Sequence, residues 1–147
     1  MTATPLVVSP ADYARRLAVV GEYITVLASS DKTEGYEVFL QEGPEGSGPP
    51  PHSHGWDESF FVIEGTVEFG HGDEHLTAGP GTLVHLPAGT THWFRFAPGG
   101  ARMLSISGAG SNAARMFTAM DAEIPEGPPD TPKVIDVARR HGLTIGW

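Results

Sequence analysis

A seven-residue stretch of the chain carries two histidines and a glutamate at a spacing that suits metal binding. It reads His52-Ser53-His54-Gly55-Trp56-Asp57-Glu58. Alternate side chains share one face of an extended strand, so His52, His54 and Glu58 are in phase. Two imidazoles and a carboxylate on one face form half of a divalent-metal site. The chain contains no cysteine, so nitrogen and oxygen atoms must bind any such metal.

The residues around this stretch follow a longer pattern. From Gly46 to Gly65 the sequence fits G-x5-H-x-H-x3-E-x6-G, and after 15 residues it fits G-x5-P-x-G-x2-H from Gly81 to His92. This pair of motifs resembles the two consecutive motifs of the cupin superfamily, in its small single-domain, quercetin-dioxygenase-like form. The resemblance implies an all-β double-stranded β-helix, a jelly-roll barrel. It also implies that His92 joins His52, His54 and Glu58 as a ligand of one metal ion per chain.

The ligand set limits which metal the site takes and gives Glu58 two roles. Three imidazoles and one carboxylate suit divalent Fe, Mn, Ni, Co, Cu or Zn. An octahedral ion with four protein ligands keeps two positions for water, substrate or O₂. We also expect Glu58 to be catalytic, because a carboxylate that leaves the metal can accept a proton from a substrate hydroxyl.

Side chains in phase with the ligands predict an apolar substrate pocket. Trp56, Phe60 and Val62 continue the face of Glu58, while Phe94 and Phe96 share the face of His92. The second motif of cupins usually ends in Asn, and Phe96 stands at that position here. On the preceding strand we expect Val38 and Leu40 to point inward, although the opposite phase, with Phe39 inside, stays open. The predicted pocket residues are therefore Trp56, Phe60, Val62, Phe94, Phe96, Val38 and Leu40.

The elements that must position these residues are short strands. The chain has 19 glycines and 13 prolines among 147 residues, and such punctuation between short apolar runs is typical of an all-β sandwich or barrel. Apolar and β-prone runs predict strands at 23–27, 36–41, 59–64, 66–69, 74–77, 82–86, 91–96 and 101–107. Helical spacing and capping residues predict short helices at 10–17, 112–122 and 133–141.

The order of these elements predicts a single cupin domain over residues 1–147. Its barrel core lies at about 36–107, after an N-terminal extension at 1–22 and before a C-terminal helical segment at 111–147. We expect the C-terminal helices to pack on the outside of the barrel or across a partner. The resemblance, together with the need to cover exposed strand edges, predicts a homodimer.

Charge and hydropathy exclude several classes of partner. The net charge is −9, which would repel a phosphate backbone, so nucleic acid is not an expected partner. No run approaches the ~18 apolar residues that a membrane span requires. The first residues lack the basic and apolar regions of a signal peptide. These observations predict a soluble, cytoplasmic protein that binds a small molecule.

Three functions fit this site, because one fold supports many reactions. The first is a metal-dependent oxidoreductase, a dioxygenase that acts with O₂ on a small apolar or aromatic molecule with enol or vicinal oxygen groups. The second is a redox-neutral, metal-dependent isomerase, cyclase, lyase or decarboxylase. The third is a non-catalytic cupin that binds a small ligand. O₂ consumption separates the first from the second, and the third predicts binding without chemical change.

Overall fold

The structure is a computed structural model that describes residues 4–146. Residues 1–3 and Trp147, at the two ends of the predicted domain, lie outside the described residues. The described chain forms a nine-stranded, curled antiparallel sheet with short helices, so the predicted jelly-roll fold is confirmed. Its strands are β1 Leu17–Val19, β2 Glu22–Ala28, β3 Glu37–Gly43, β4 His52–Ser53, β5 Glu58–His71, β6 Glu74–Ala78, β7 Leu83–Leu86, β8 His92–Ser107 and β9 Thr144–Ile145. Its helices are a 3₁₀ turn at Pro10–Asp12, α1 Ser30–Thr33, α2 Ala113–Glu123 and α3 Thr131–Arg140.

Two long bent strands, β5 and β8, form the frame of the barrel. Strand β5 pairs with β6, β7 and β8, and β8 also pairs with β3 and β4. The sequence predicts that each ends at a glycine turn, but each continues through a bend. The pairing of β5 with β8 shifts register on both sides of Gly65, which has φ +75°. A Cβ atom on Gly65 would lie 2.2 Å from the carbonyl oxygen of Gly100, so this bulge requires glycine.

The N-terminal segment differs from its predicted helix. Only Pro10–Asp12 is helical, and the Asp12 carboxylate accepts hydrogen bonds from the backbone and hydroxyl of Ser9. Leu17–Val19 instead forms strand β1, because it pairs with β2 through a two-residue turn. Two further elements were not predicted, helix α1 in a predicted loop and the short strand β9, which pairs with β4.

The C-terminal helices cover one end of the barrel and do not lie along its outer sheet face. Helix α2 packs against β1 and α3, and the rings of Phe117 and Phe39 meet edge to face at 5.1 Å. The helices and the barrel end share one buried cluster, whose largest members include Ile24, Phe39, Trp56, Met116, Met120 and Val137. A second cluster fills the barrel itself. Among residues 4–146, no helix is long and apolar enough to cross a membrane.

Strand β3 has the phase opposite to the one expected. Phe39 is fully buried and Gln41 lines the interior cavity. Val38 and Leu40 pair with Ile106 and Leu104 of β8 and do not line the cavity, contrary to the expectation. Both faces of β3 carry apolar residues, and the inner face also carries polar Gln41. The alternation of apolar and polar residues alone therefore predicts the opposite phase.

Candidate metal centre

The fold brings the four predicted ligands together at the inner surface of the barrel. His52 lies directly opposite His92 on the paired strands β4 and β8, and one ring nitrogen from each of His52, His54 and His92 falls within 4.8 Å of the others. Glu58 begins β5, and its Oε1 atom lies 3.3 Å from Nε2 of His54 and 3.2 Å from Nε2 of His92. All four side chains are buried.

A tight turn delivers His92 to the other three. Residues 87–89 carry this turn, and the backbone N–H of Ala88 donates to the carboxylate of Asp57 at 2.8 Å. The N–H of Gly89 donates to the carbonyl of His54 at 2.9 Å. Both bonds join the second motif to the first, so the spacing that the sequence shows corresponds to direct contacts.

Each histidine points the same kind of nitrogen at the centre of the site. The Nδ1 atoms of His52, His54 and His92 lie 2.9, 3.0 and 2.9 Å from the carbonyl oxygens of Pro50, Trp56 and Thr90. A carbonyl only accepts, so each Nδ1–H donates and each neutral imidazole is left with a lone pair on Nε2. These lone pairs and a carboxylate oxygen face one another, an arrangement that repels unless a cation lies among them. The donor set therefore fits a divalent metal ion.

The ionisation of the site matches this arrangement. Burial, reinforced by nearby His92, lowers the pKa of His52 to about 4, so this imidazole is neutral at pH 7. In this tautomer Nε2 of His54 and of His92 has no proton to donate to Oε1 of Glu58, so a cation between them would take the place of hydrogen bonds. The second oxygen of Glu58 contacts the hydroxyl of Ser107 at 3.5 Å.

A cavity of about 260 Å³ lies beside the four residues. Trp56, Phe60 and Phe94 line it, and the Trp56 ring stacks on His54 at 4.3 Å between centroids. Val62 and Phe96 do not line the cavity, because they are buried with Phe60 and Phe94 in the cluster that fills the barrel. The helices contribute further apolar residues to its wall, including Met116, Phe117, Met120, Val134 and Ala138.

Three polar residues of the cavity were missed by the sequence analysis. Glu22 and Gln41 line it from β2 and β3. Arg95 also borders it and donates to the carbonyl oxygens of Gly48 and Pro49. A polar residue within an apolar strand, such as Gln41, could have indicated a polar group in the cavity. That interpretation requires the phase of β3, which the sequence left open.

Comparisons with known proteins agree with the fold and the motifs. Residues 39–107 match the profile of the cupin domain. A segment of 93 residues, 62% of this chain, is 27% identical to quercetin 2,3-dioxygenase of Bacillus subtilis strain 168 and spans 28% of that enzyme's length.

Two solved structures show the same fold. KdgF from Halomonas sp. superposes with a TM-score of 0.68 at 16% identity, over 76% of this chain and 99% of that one. Oxalate decarboxylase from Bacillus subtilis, a protein with Mn(II) centres, superposes with a TM-score of 0.61 at 20% identity, over 71% of this chain and 29% of that one. With the curled antiparallel sheet, these results show that residues 39–107 match a cupin domain and that the described chain has the cupin fold.

Proposed function

We propose that this cupin is a metal-dependent dioxygenase that acts on a small apolar or aromatic molecule with enol or vicinal oxygen groups. One observation carries the proposal: three Nε2 lone pairs and the Glu58 carboxylate converge at the wall of an apolar cavity. His52, His54, His92 and Glu58 would hold one divalent ion, which is Fe, Mn, Ni, Co, Cu or Zn. When bound, such an ion polarises substrate oxygens, and a redox-active one also exchanges electrons with O₂.

Glu58 is suited first to binding the ion. Its Oε1 atom lies 3.3 Å from Nε2 of His54 and 3.2 Å from Nε2 of His92, so the carboxylate lies among the nitrogen donors. Its second oxygen has only the long contact with Ser107 among the described residues. We propose that this oxygen would accept the proton of a substrate hydroxyl, whose acidity a bound metal ion would increase.

The cavity wall supports an apolar or aromatic substrate. Trp56, Phe60 and Phe94 present ring faces or edges beside the metal ligands, and helix α2 adds Met116 and Phe117 opposite the sheet. Apolar walls with a few fixed polar groups are usual in small-molecule sites. The partial similarity to quercetin 2,3-dioxygenase supports a flavonol-like ring system as the first substrate to try.

The reaction is tested by loading the metal-free chain separately with each of the six ions. Quercetin is then added under air, and O₂ uptake and substrate loss are followed together. The proposal predicts that at least one redox-active ion supports incorporation of both atoms of isotopically labelled O₂, and that the zinc form and a His52→Ala/His92→Ala variant do not. Conversion by the zinc form without O₂ uptake would identify a redox-neutral enzyme. Tight binding of unchanged quercetin by every form would identify a binding protein.

We further propose that the chain forms a homodimer through the outer face of the sheet. Phe61 pairs with Leu83 and Leu104, and Ile106 lies beside them on β8. Phe61, Ile63, Leu83 and Ile106 are exposed. The side chains named on this face carry no formal charge, so two copies of a chain with net charge −9 can meet there with less repulsion than elsewhere. The cytoplasmic location stays a prediction.

A further inference from the structure

Glu22 is a buried acid in the wall of the cavity that the metal site does not use. It is the first residue of β2, it is only 6% exposed, and it borders the same cavity as Glu58. Among the described residues, its one side-chain hydrogen bond comes from Nε2 of Gln41, which lies 3.3 Å from Oε1. Its other oxygen, Oε2, is therefore available to a ligand.

The backbone fixes Glu22 in this place. The turn before it puts Val20 at φ +47° and Gly21 at φ +88°. A valine in this left-handed region is uncommon and strained, and such strain persists only where the surroundings enforce it. Val19, just before the turn, pairs directly with Glu22, so the hairpin aims the acid at the barrel interior. Gln41, inward on β3, completes the support.

Burial of Glu22 favours its protonated form, and in the metal-free chain the surroundings keep it protonated at neutral pH. Burial raises its pKa to about 8, the negative charge of Glu58 adds to the rise, and the hydrogen bond from Gln41 opposes it. The titratable or charged residues that line the cavity with Glu22, among residues 4–146, are His52, His54, Glu58 and Arg95. A protonated carboxyl is a hydrogen-bond donor, whereas a carboxylate only accepts.

We propose that Glu22 donates a hydrogen bond from Oε2 to an oxygen of the ligand other than the oxygens that reach the metal. The site would then select molecules with a metal-binding enol or diol and, in addition, a separate oxygen acceptor such as a carbonyl or nitro group. This inference rests on the proposed function, because the metal-binding group sets the position of the rest of the ligand.

The test uses zinc-loaded protein, in which no redox turnover interferes, and two probes. Catechol offers only the vicinal diol, and 4-nitrocatechol adds a nitro acceptor. Glu22→Met removes the donor at similar length, and Glu22→Gln keeps an uncharged donor. At pH 7 we expect the Met variant to bind 4-nitrocatechol about 3- to 10-fold more weakly than wild type, with catechol nearly unchanged, as for one lost hydrogen bond. The Gln variant should stay within about 2-fold for both probes.

The pH dependence of probe affinity separates hydrogen bonding by Glu22 from a structural role, because a structural role would not change the relative affinity for the two probes. As rising pH ionises Glu22, the wild-type affinity for 4-nitrocatechol, relative to catechol, should fall towards that of Glu22→Met, while Glu22→Gln keeps its advantage. If Glu22→Met, with a full zinc complement, loses affinity equally for both probes or for neither, the inference about Glu22 is wrong. The proposed function is then unaffected. A wild-type chain that takes up no zinc would overturn the proposed function and this inference with it.

Discussion

The orientation of three histidine rings is the residue-scale basis of the site. Each ring donates its Nδ1 proton to a backbone carbonyl, so the main chain selects the tautomer and aims Nε2 at one point. The motif spacing places the four ligands in one region, but these carbonyl partners come from loop conformation. The sequence therefore predicts which residues meet, and the structure adds why their lone pairs meet.

Glu58 should contribute more to metal affinity than any neighbouring polar group. Glu58→Gln removes the only negative charge among the ligands, and we expect zinc affinity to fall by about 100-fold or more, since even indirect partners of ligands contribute 10- to 100-fold. Competition with a chromophoric chelator measures the change. Ser107→Ala is the matched control, because its hydroxyl reaches Glu58 only at 3.5 Å, and its affinity should change little. Unaltered zinc affinity in Glu58→Gln would show that the carboxylate is not a ligand.

Glu22 should make stability depend on pH in a defined direction. Its pKa is about 8 in the folded chain against 4.5 as the ordinary value, so between these pH values the folded state holds more protons than the unfolded state. The free energy of unfolding therefore falls as pH rises through this window. Glu22→Gln removes this loss. Without metal, the Tm of the variant minus that of wild type should therefore be larger at pH 8 than at pH 5, by on the order of 5 °C.

Thermal melts of both proteins at pH 5 and pH 8 check this expectation. The control is Glu64→Gln, which changes an exposed acid on β5 and should give the same Tm difference between the two pH values as wild type. A Glu22→Gln chain that loses stability with pH as steeply as wild type would contradict the account of Glu22.

At the scale of elements, the bend in β5 depends on one glycine. Gly65→Ala forces an alanine to φ +75° and drives its Cβ towards the carbonyl oxygen of Gly100. We expect a loss of more than about 2 kcal/mol in the free energy of unfolding, measured with denaturant. Gly72→Ala is the control: φ is also positive, at +54°, but nothing lies within 4 Å of the added atom, so about 1 kcal/mol is expected. Equal losses would mean that the close approach at Gly65 is unimportant.

The bends in β5 and β8 explain why the sequence predicts several short strands where the structure has two long ones. Gly65 and residues 98–100 look like turns in the sequence, yet backbone pairing holds β5 and β8 together on both sides of each bend. A local turn signal does not distinguish a bulge from a chain reversal. The C-terminal helices were predicted by their own periodicity, but their position over the cavity depends on contacts with Ile24 and Phe39, which are distant in sequence. Their role in the pocket was therefore not predictable.

At the scale of the whole molecule, the exposed apolar sheet face should determine the assembly state. We expect wild type to have twice the mass of one chain by light scattering at about 50 μM, because exposed apolar patches of this kind usually mark interfaces. Phe61→Lys/Leu83→Lys places like charges on both copies and should give the monomer. Val7→Lys changes an exposed apolar residue outside the sheet and should leave the dimer intact. A monomeric wild type would contradict the proposed interface.

The metal centre is the basis of the proposed function. Elemental analysis of the chain purified without added metal or chelator tests for it directly. We expect about one equivalent of Fe, Mn, Ni, Co, Cu or Zn per chain. The His52→Ala/His92→Ala variant should lose it, while a His75→Ala/His85→Ala variant, which changes two exposed histidines, should keep it. A wild type that holds no metal and takes up none on reconstitution, or a His52→Ala/His92→Ala variant that retains the full equivalent, would contradict the metal centre described above.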